Sequence, residues 1–137
     1  MLKNYPVYTT LPVTDYARAR AFYKDKLGLT PTEPDGDIFE CGKGTAFVIS
    51  SMGSRPAGHT QMSFQVEDVA AVVKQLKSKG VVFEEYDLPT LKTVDSIAVR
   101  PDFRAAWFKD SEGNMIGIGQ RIQQSPRVGE RAAGVGR

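Results

Sequence analysis

The sequence predicts an α+β fold built from two tandem β-α-β-β-β modules whose curved sheets form a cup. Three observations lead there. Residues 11–28, LPVTDYARARAFYKDKLG, and residues 64–80, FQVEDVAAVVKQLKSKG, share one punctuation: apolar strand, acidic turn, amphipathic helix, Gly. Val13-Thr14-Asp15 matches Val66-Glu67-Asp68, and Leu27-Gly28 answers Gly80. The chain has 137 residues, which suits one compact domain or two half-size modules. A half of about sixty residues is marginal alone, so the two sheets must complete one another. Short strand-like segments separated by turn residues follow each helix. Curved sheets paired in this way leave a cavity between them, the default binding site.

Tyr8 to Val13 reads as a strand, with Pro12 near its end, where a lost ladder donor is tolerated. Thr14 or Asp15 caps the helix that follows. Tyr16, Ala19, Phe22, Tyr23 and Leu27 form its apolar face, while Arg18, Arg20, Lys24 and Asp25 point to water. Gly28 suits a left-handed C-terminal cap. Strands are expected at Leu29–Glu33, Asp37–Cys41 and Thr45–Ser50, with turns at Asp35-Gly36 and Gly42-Lys43-Gly44. Residues 51–58, SMGSRPAG, read as the boundary between modules 5–51 and 59–121, which together make one domain over 1–121.

The second module opens with a strand at Thr60–Val66. Its helix runs from about Asp68 to Lys79, with Val69, Val72, Val73 and Leu76 on one face, and Gly80 ends it. Val81–Tyr86 reads as a strand, and residues 87–103 as a long loop holding at most a short strand. Arg104–Lys109 and Asn114–Gln120 are the last strands, joined by Asp110-Ser111-Glu112-Gly113. Asp110 and Glu112 are expected to serve that turn rather than acid-base chemistry. The tail over 122–137 is polar, small and basic, and is expected to be disordered or loosely docked.

Composition narrows the functional classes. The net charge is +2, and 18 basic residues are interspersed with 16 acidic ones, which argues against nucleic acid. No apolar run reaches the length of a membrane span. The N-terminus, MLKNYPVYTT, has no signal-peptide core, so the cytoplasm is the expected location. Cys41 is the sole cysteine. It excludes an intrachain disulfide and a cysteine-cluster metal site, and reads as a buried strand residue rather than a catalytic thiol.

The LPVTD…ARAFYKDKLGL stretch and the D-x-E-G-N end strand, set within the repeat, resemble the vicinal oxygen chelate superfamily. That group includes glyoxalase I, bleomycin-resistance proteins, fosfomycin-resistance enzymes and extradiol dioxygenases. The resemblance spans about residues 5–121. It implies paired modules forming a cup, and a divalent metal held by His, Glu or Gln from the first and last strands of each module. It also implies a homodimer. Placed through the repeat, the four ligand positions fall on Tyr8, Val48, Gln61 and Gly117. Val and Gly side chains cannot ligate, a neutral Tyr is a poor ligand, and Gln61 alone does not make a site. The expectation is therefore no metal cofactor. A different ligand set, His59 with Gln61 and Glu40, is the alternative.

Tyr8, Thr10, Val48, Gln61, Ser63 and Gly117 are thus candidate ligand-binding residues, with Phe39 and Trp107 as aromatic walls. Tyr8 and Gln61 either bind a ligand or bond each other or water. Trp107 either stacks a flat ligand or fills core. Tyr86 and Phe103 are further wall candidates. Gly117 and Gly119 either make room for a ligand or admit another backbone. Arg100 and Arg104 either hold an anion or are solvated.

Three functions follow. The first is metal-independent binding of a small apolar or aromatic molecule, as in antibiotic-sequestering members of the superfamily. The second is a metal-dependent lyase or dioxygenase using His59, Gln61 and Glu40. The third is a dimeric interaction module whose cup is filled by its own side chains.

Overall fold

In the computed structural model, which describes residues 1–51, 55–56 and 58–121, the two helices begin in the same way. Asp15 accepts a hydrogen bond from Arg18 N at 3.0 Å, and Asp68 from Ala71 N at 3.1 Å. Each carboxylate thus satisfies one orphan donor of its helix. Helix α1 spans Tyr16–Asp25 and α2 spans Val69–Ser78. Gly28 and Gly80 follow them with φ of +72° and +89°, a backbone that other residues resist. No helix among the described residues is long and apolar enough to cross a membrane.

Strands β1 (Thr9–Pro12), β2 (Ile38–Glu40) and β3 (Ala46–Ser50) make a sheet ordered β1-β3-β2, with β1 parallel to β3. Strands β4 (Thr60–Gln65), β5 (Asp87–Leu88), β6 (Leu91–Val94), β7 (Ile97–Val99), β8 (Phe103–Lys109) and β9 (Met115–Arg121) make a second sheet. Its order is β4-β9-β8-β7-β6-β5, with β4 parallel to β9. β1 lies beside β4. The fold is therefore α+β with curved sheets, as the repeat predicts.

Three expected elements differ. Leu29–Glu33 is not a strand: only Pro31 bridges to Phe39, because prolines at 31 and 34 remove two ladder donors. Val81–Tyr86 touches β8 through the Phe83–Phe108 bridge and the Glu84 N to Trp107 O bond, then leaves for β6. The expected loop over 87–103 instead holds β5, β6 and β7. Its β6–β7 turn places Asp95 and Ser96 at φ +52° and +73°. Two successive positive φ values are the type I′ geometry that suits a tight hairpin. Glu85 holds this turn by accepting from Ser96 N, Ser96 Oγ and Thr93 Oγ1. The expected tail over 122–137 and half of the expected boundary over 51–58, residues 52–54 and 57, lie outside the described residues.

The modules share one core. Leu11, Phe47 and Ile49 from the first sheet join Phe108, Ile116 and Ile118 from the second in one buried cluster. From α1, Tyr23 packs on Phe47 at 5.0 Å between ring centroids, and Phe22 reaches Phe108 at 6.2 Å. The β8–β9 turn fastens the modules further. Tyr23 Oη donates to Asp110 Oδ2 at 2.6 Å, and Asn114 Nδ2 donates to both Asp110 Oδ2 and Pro12 O. Glu112 accepts from Thr14 N, Asp15 N and the Arg18 guanidinium. Asp110 and Glu112 do serve the turn as expected, since Asp110 Oδ1 accepts from Glu112 N and Asn114 N. They also tie it to α1 in the other module.

Candidate functional site

Strand register sorts the candidates into two faces. Pairing of Phe39 with Phe47, and of Leu11 with Ile49, puts these residues on the helix-packed face. Ile38, Val48 and Thr10 are paired in a row on the other, open face. Alternation places Tyr8, one residue before β1 and 45% exposed, with Thr10. In the second sheet Ser63, Gly117 and Trp107 form one open-face row. Gln65, Gly119, Ala105 and Ala98 form the next. Ala105 and Ala98, although buried, stand outside the core cluster that holds Ala106 and Phe108.

Phe39 is a correction. It is fully buried and stacks on Phe47, with ring centroids 5.0 Å apart and planes within 6°. It faces the core because its partner on β3 is Phe47 rather than Val48. Gln61 is the extra residue of a β-bulge and has no partner on β9. The bulge turns Thr60 to the open face, where its Cγ2 stands 3.5 Å from the place of a Cβ on Gly117. No hydrogen bond joins Tyr8 and Gln61 among the described residues, so of the alternatives weighed for this pair, bonding to each other is not formed.

His59 is exposed and its Nδ1 lies 3.0 Å from Thr60 O. It lies in the bend before β4, outside the strand. Glu40 is on β2, separated from β4 by β3 and β1, a span of more than about 10 Å at a strand spacing of ~4.8 Å. His59, Gln61 and Glu40 are therefore not brought together. Among the described residues no group of three His, Cys, Asp or Glu side chains is arranged to hold a metal ion. Burial pushes the Cys41 thiol up, which makes it a poor nucleophile at neutral pH.

Of the four positions at which the resemblance implies a metal ligand, Gly117 also fails on space. A Cβ on Gly117 would stand 2.4 Å from Ser63 Oγ and 3.4 Å from Ser63 Cβ. Any side chain long enough to ligate begins with that atom. With Val48 opposite Thr10, the donor set does not fit a divalent ion. The room beside the two glycines, expected for a ligand or another backbone, is taken by side chains: Ser63 lies over Gly117 and Gln65 over Gly119. Gly117→Ala is expected to cost about 1 kcal/mol through this crowding. Ser63→Ala in the same chain should recover most of it. Urea unfolding of the two single variants and the double variant checks this, and additive costs would refute the contact.

Trp107 is half-buried on the open face, and the Tyr86 ring meets it edge-on, 5.7 Å between centroids at 78°. Burial, then the nearby Glu84 carboxylate, pushes the Tyr86 phenol up. Glu84 N donates to Trp107 O at 2.8 Å, which sets Glu84 opposite Trp107. Sequence reading missed Glu84. Its signal was present, since Phe83 points into the core and its neighbours must point out. Of the two arginines, Arg100 donates to Thr90 O, and Arg104 pairs with Gln120 on the helix side. Arg104 therefore faces away from the open face, whereas Arg100 alternates onto it and spends its guanidinium on Thr90 O. A separate depression of about 590 Å³ lies between α1 and residues 30–35. Its Arg20 is already paired with Asp37 at 3.4 Å.

The family model for the Glyoxalase/Bleomycin resistance protein/Dioxygenase superfamily matches residues 6–118. A comparison with curated proteins found no match. Among solved structures, UcmS2 is 20% identical with a TM-score of 0.63, over 84% of this chain and 96% of that one. TnmS3, an antibiotic binding protein from Streptomyces sp. CB03234, is 22% identical with a TM-score of 0.61, over 85% and 95%. A glyoxalase/bleomycin resistance protein/dioxygenase superfamily member from Sphaerobacter thermophilus DSM 20745 is 24% identical with a TM-score of 0.61, over 85% and 96%. At these identities the likeness is one of fold.

Proposed function

Because the chain belongs to the glyoxalase/bleomycin resistance protein/dioxygenase superfamily, we propose that it binds a small apolar or aromatic molecule on the open face of its sheets, without a metal. One observation carries this reading. The row that should supply metal ligands holds Gly117 with Ser63 packed over it, and the same row ends on a half-exposed Trp107. Tyr8, Thr10 and Ser63 add hydroxyls that can donate or accept without charge. A tryptophan platform with neutral hydrogen-bonding groups suits a flat, mostly apolar ligand. TnmS3, which shares the fold, is an antibiotic binding protein, and a sequestered antibiotic is one ligand of this kind.

A thermal-shift screen tests the reading. A planar aromatic binder present at about one hundred times its dissociation constant should stabilise by about 2.7 kcal/mol. Chelator and added divalent metals should leave the melting temperature unmoved. A melting temperature that falls with chelator and returns with one metal would sink the metal-free reading.

A further inference from the structure

Trp107, Tyr86 and Glu84 form a corner that a purely apolar ligand does not need. The two rings pack edge to face, 78° apart with centroids at 5.7 Å, and form one aromatic cluster. Glu84 is the cross-strand neighbour of Trp107 through its 2.8 Å backbone bond, and it alternates with buried Phe83, as does Tyr86's position two residues on. Glu84 and Tyr86 therefore share the face of Trp107. The carboxylate is close enough to Tyr86 to act on its phenol.

Glu84 is half-buried, and it enters none of the ion pairs or side-chain hydrogen bonds among the described residues. The neighbouring Glu85 differs, since Ser96 and Thr93 saturate it. Lys109 stands two residues from Trp107 on the same strand face, but it is exposed and makes no ion pair with Glu84. Among the described residues this half-buried carboxylate beside two aromatic rings has no cation on it. Aromatic faces attract ammonium groups through their quadrupoles, Trp most strongly, and a carboxylate adds a charge-assisted contact.

We propose that the Trp107–Tyr86–Glu84 corner binds a protonated or quaternary amine, so that the molecule held on the open face is a cationic aromatic or alkyl amine. This rests on the reading that the open face is a small-molecule site. It names the charge that such a molecule carries.

The chain has a single tryptophan, so its fluorescence reports on this corner directly. The full-length protein is titrated with benzyltrimethylammonium, with its neutral isostere neopentylbenzene and with phenylacetate. The expected result is at least tenfold tighter binding of the ammonium than of the neutral probe, and the weakest binding for the anion. Glu84→Gln should lower the ratio of ammonium to neutral affinity severalfold, leaving the part supplied by the rings, with the melting temperature read alongside to confirm folding. Tyr86→Leu is a second variant, and should lower the ratio severalfold. Equal binding of the neutral and ammonium probes, or a ratio unchanged in Glu84→Gln, overturns the amine corner alone. Failure of every probe to change Trp107 fluorescence overturns the open-face reading together with it.

Discussion

Asp110→Ala is expected to lower stability by about 3–4 kcal/mol, or roughly 10–15 °C in melting temperature for a chain of this size. The carboxylate accepts from Tyr23 Oη at 2.6 Å, Asn114 Nδ2 at 3.0 Å, Glu112 N at 2.9 Å and Asn114 N at 2.8 Å. Removing it strands Tyr23 Oη, Glu112 N and Asn114 N and leaves Asn114 Nδ2 with Pro12 O alone, in a place where Asp110 is 6% exposed and Asn114 fully buried. Asn114 Oδ1 already lacks a partner among the described residues, so the amide cannot recover by flipping. Tyr23→Phe is the control. It deletes one donor, leaves the acceptor three others, and should cost about 1 kcal/mol. Calorimetry of both variants decides the matter, and an Asp110→Ala cost no larger than that of Tyr23→Phe would show that the network adds little beyond the turn.

Acid should weaken the tie between the modules through Glu112. Arg18 holds its carboxyl down to about 2 from an ordinary 4.5. The backbone N–H groups of Thr14 and Asp15 and the Ser111 hydroxyl assist, while burial opposes. A folded pKa below the unfolded one means that the stabilisation is fully present above about 4.5. It is lost as the pH falls towards 2. The Glu112 side chain is 1% exposed but that of Arg18 is 54% exposed, so solvent screening trims the contribution to about 2 kcal/mol. Glu112→Gln should therefore unfold more easily than the parent protein at pH 7, and the gap should close between pH 4.5 and pH 2. Urea midpoints across that range test it. A gap that stays constant with pH would mean that the variant acts through packing rather than through charge.

The parts of the fold visible in the sequence are those set within a few residues. Asp15 and Asp68 cap their helices, and Gly28 and Gly80 end them, because these roles depend on local backbone geometry alone. The β6–β7 hairpin was hidden because Asp95-Ser96 takes the positive φ values usually signalled by Asn-Gly. Leu29–Glu33 has an apolar start but too few donors to join a ladder. At the site, Phe39 shows the limit of a period-two pattern. Alternation divides a strand into two faces, but only pairing with Phe47 decides which one is core. Glu84 escaped notice because its meaning lies wholly in standing opposite Trp107, 23 residues away in the chain.

By itself the sequence determined the α+β class with its two capped helices, and the absence of side-chain donors at Val48 and Gly117. Both are properties of residue type and spacing. Only the tertiary structure decided that a bulge at Gln61 turns Thr60 to the open face, that Ser63 fills the space over Gly117, and that Trp107, Tyr86 and Glu84 meet. The reason is physical. A strand's facing reverses with a shift of one residue, and that shift is set by partners distant in the chain, through packing that no local pattern records.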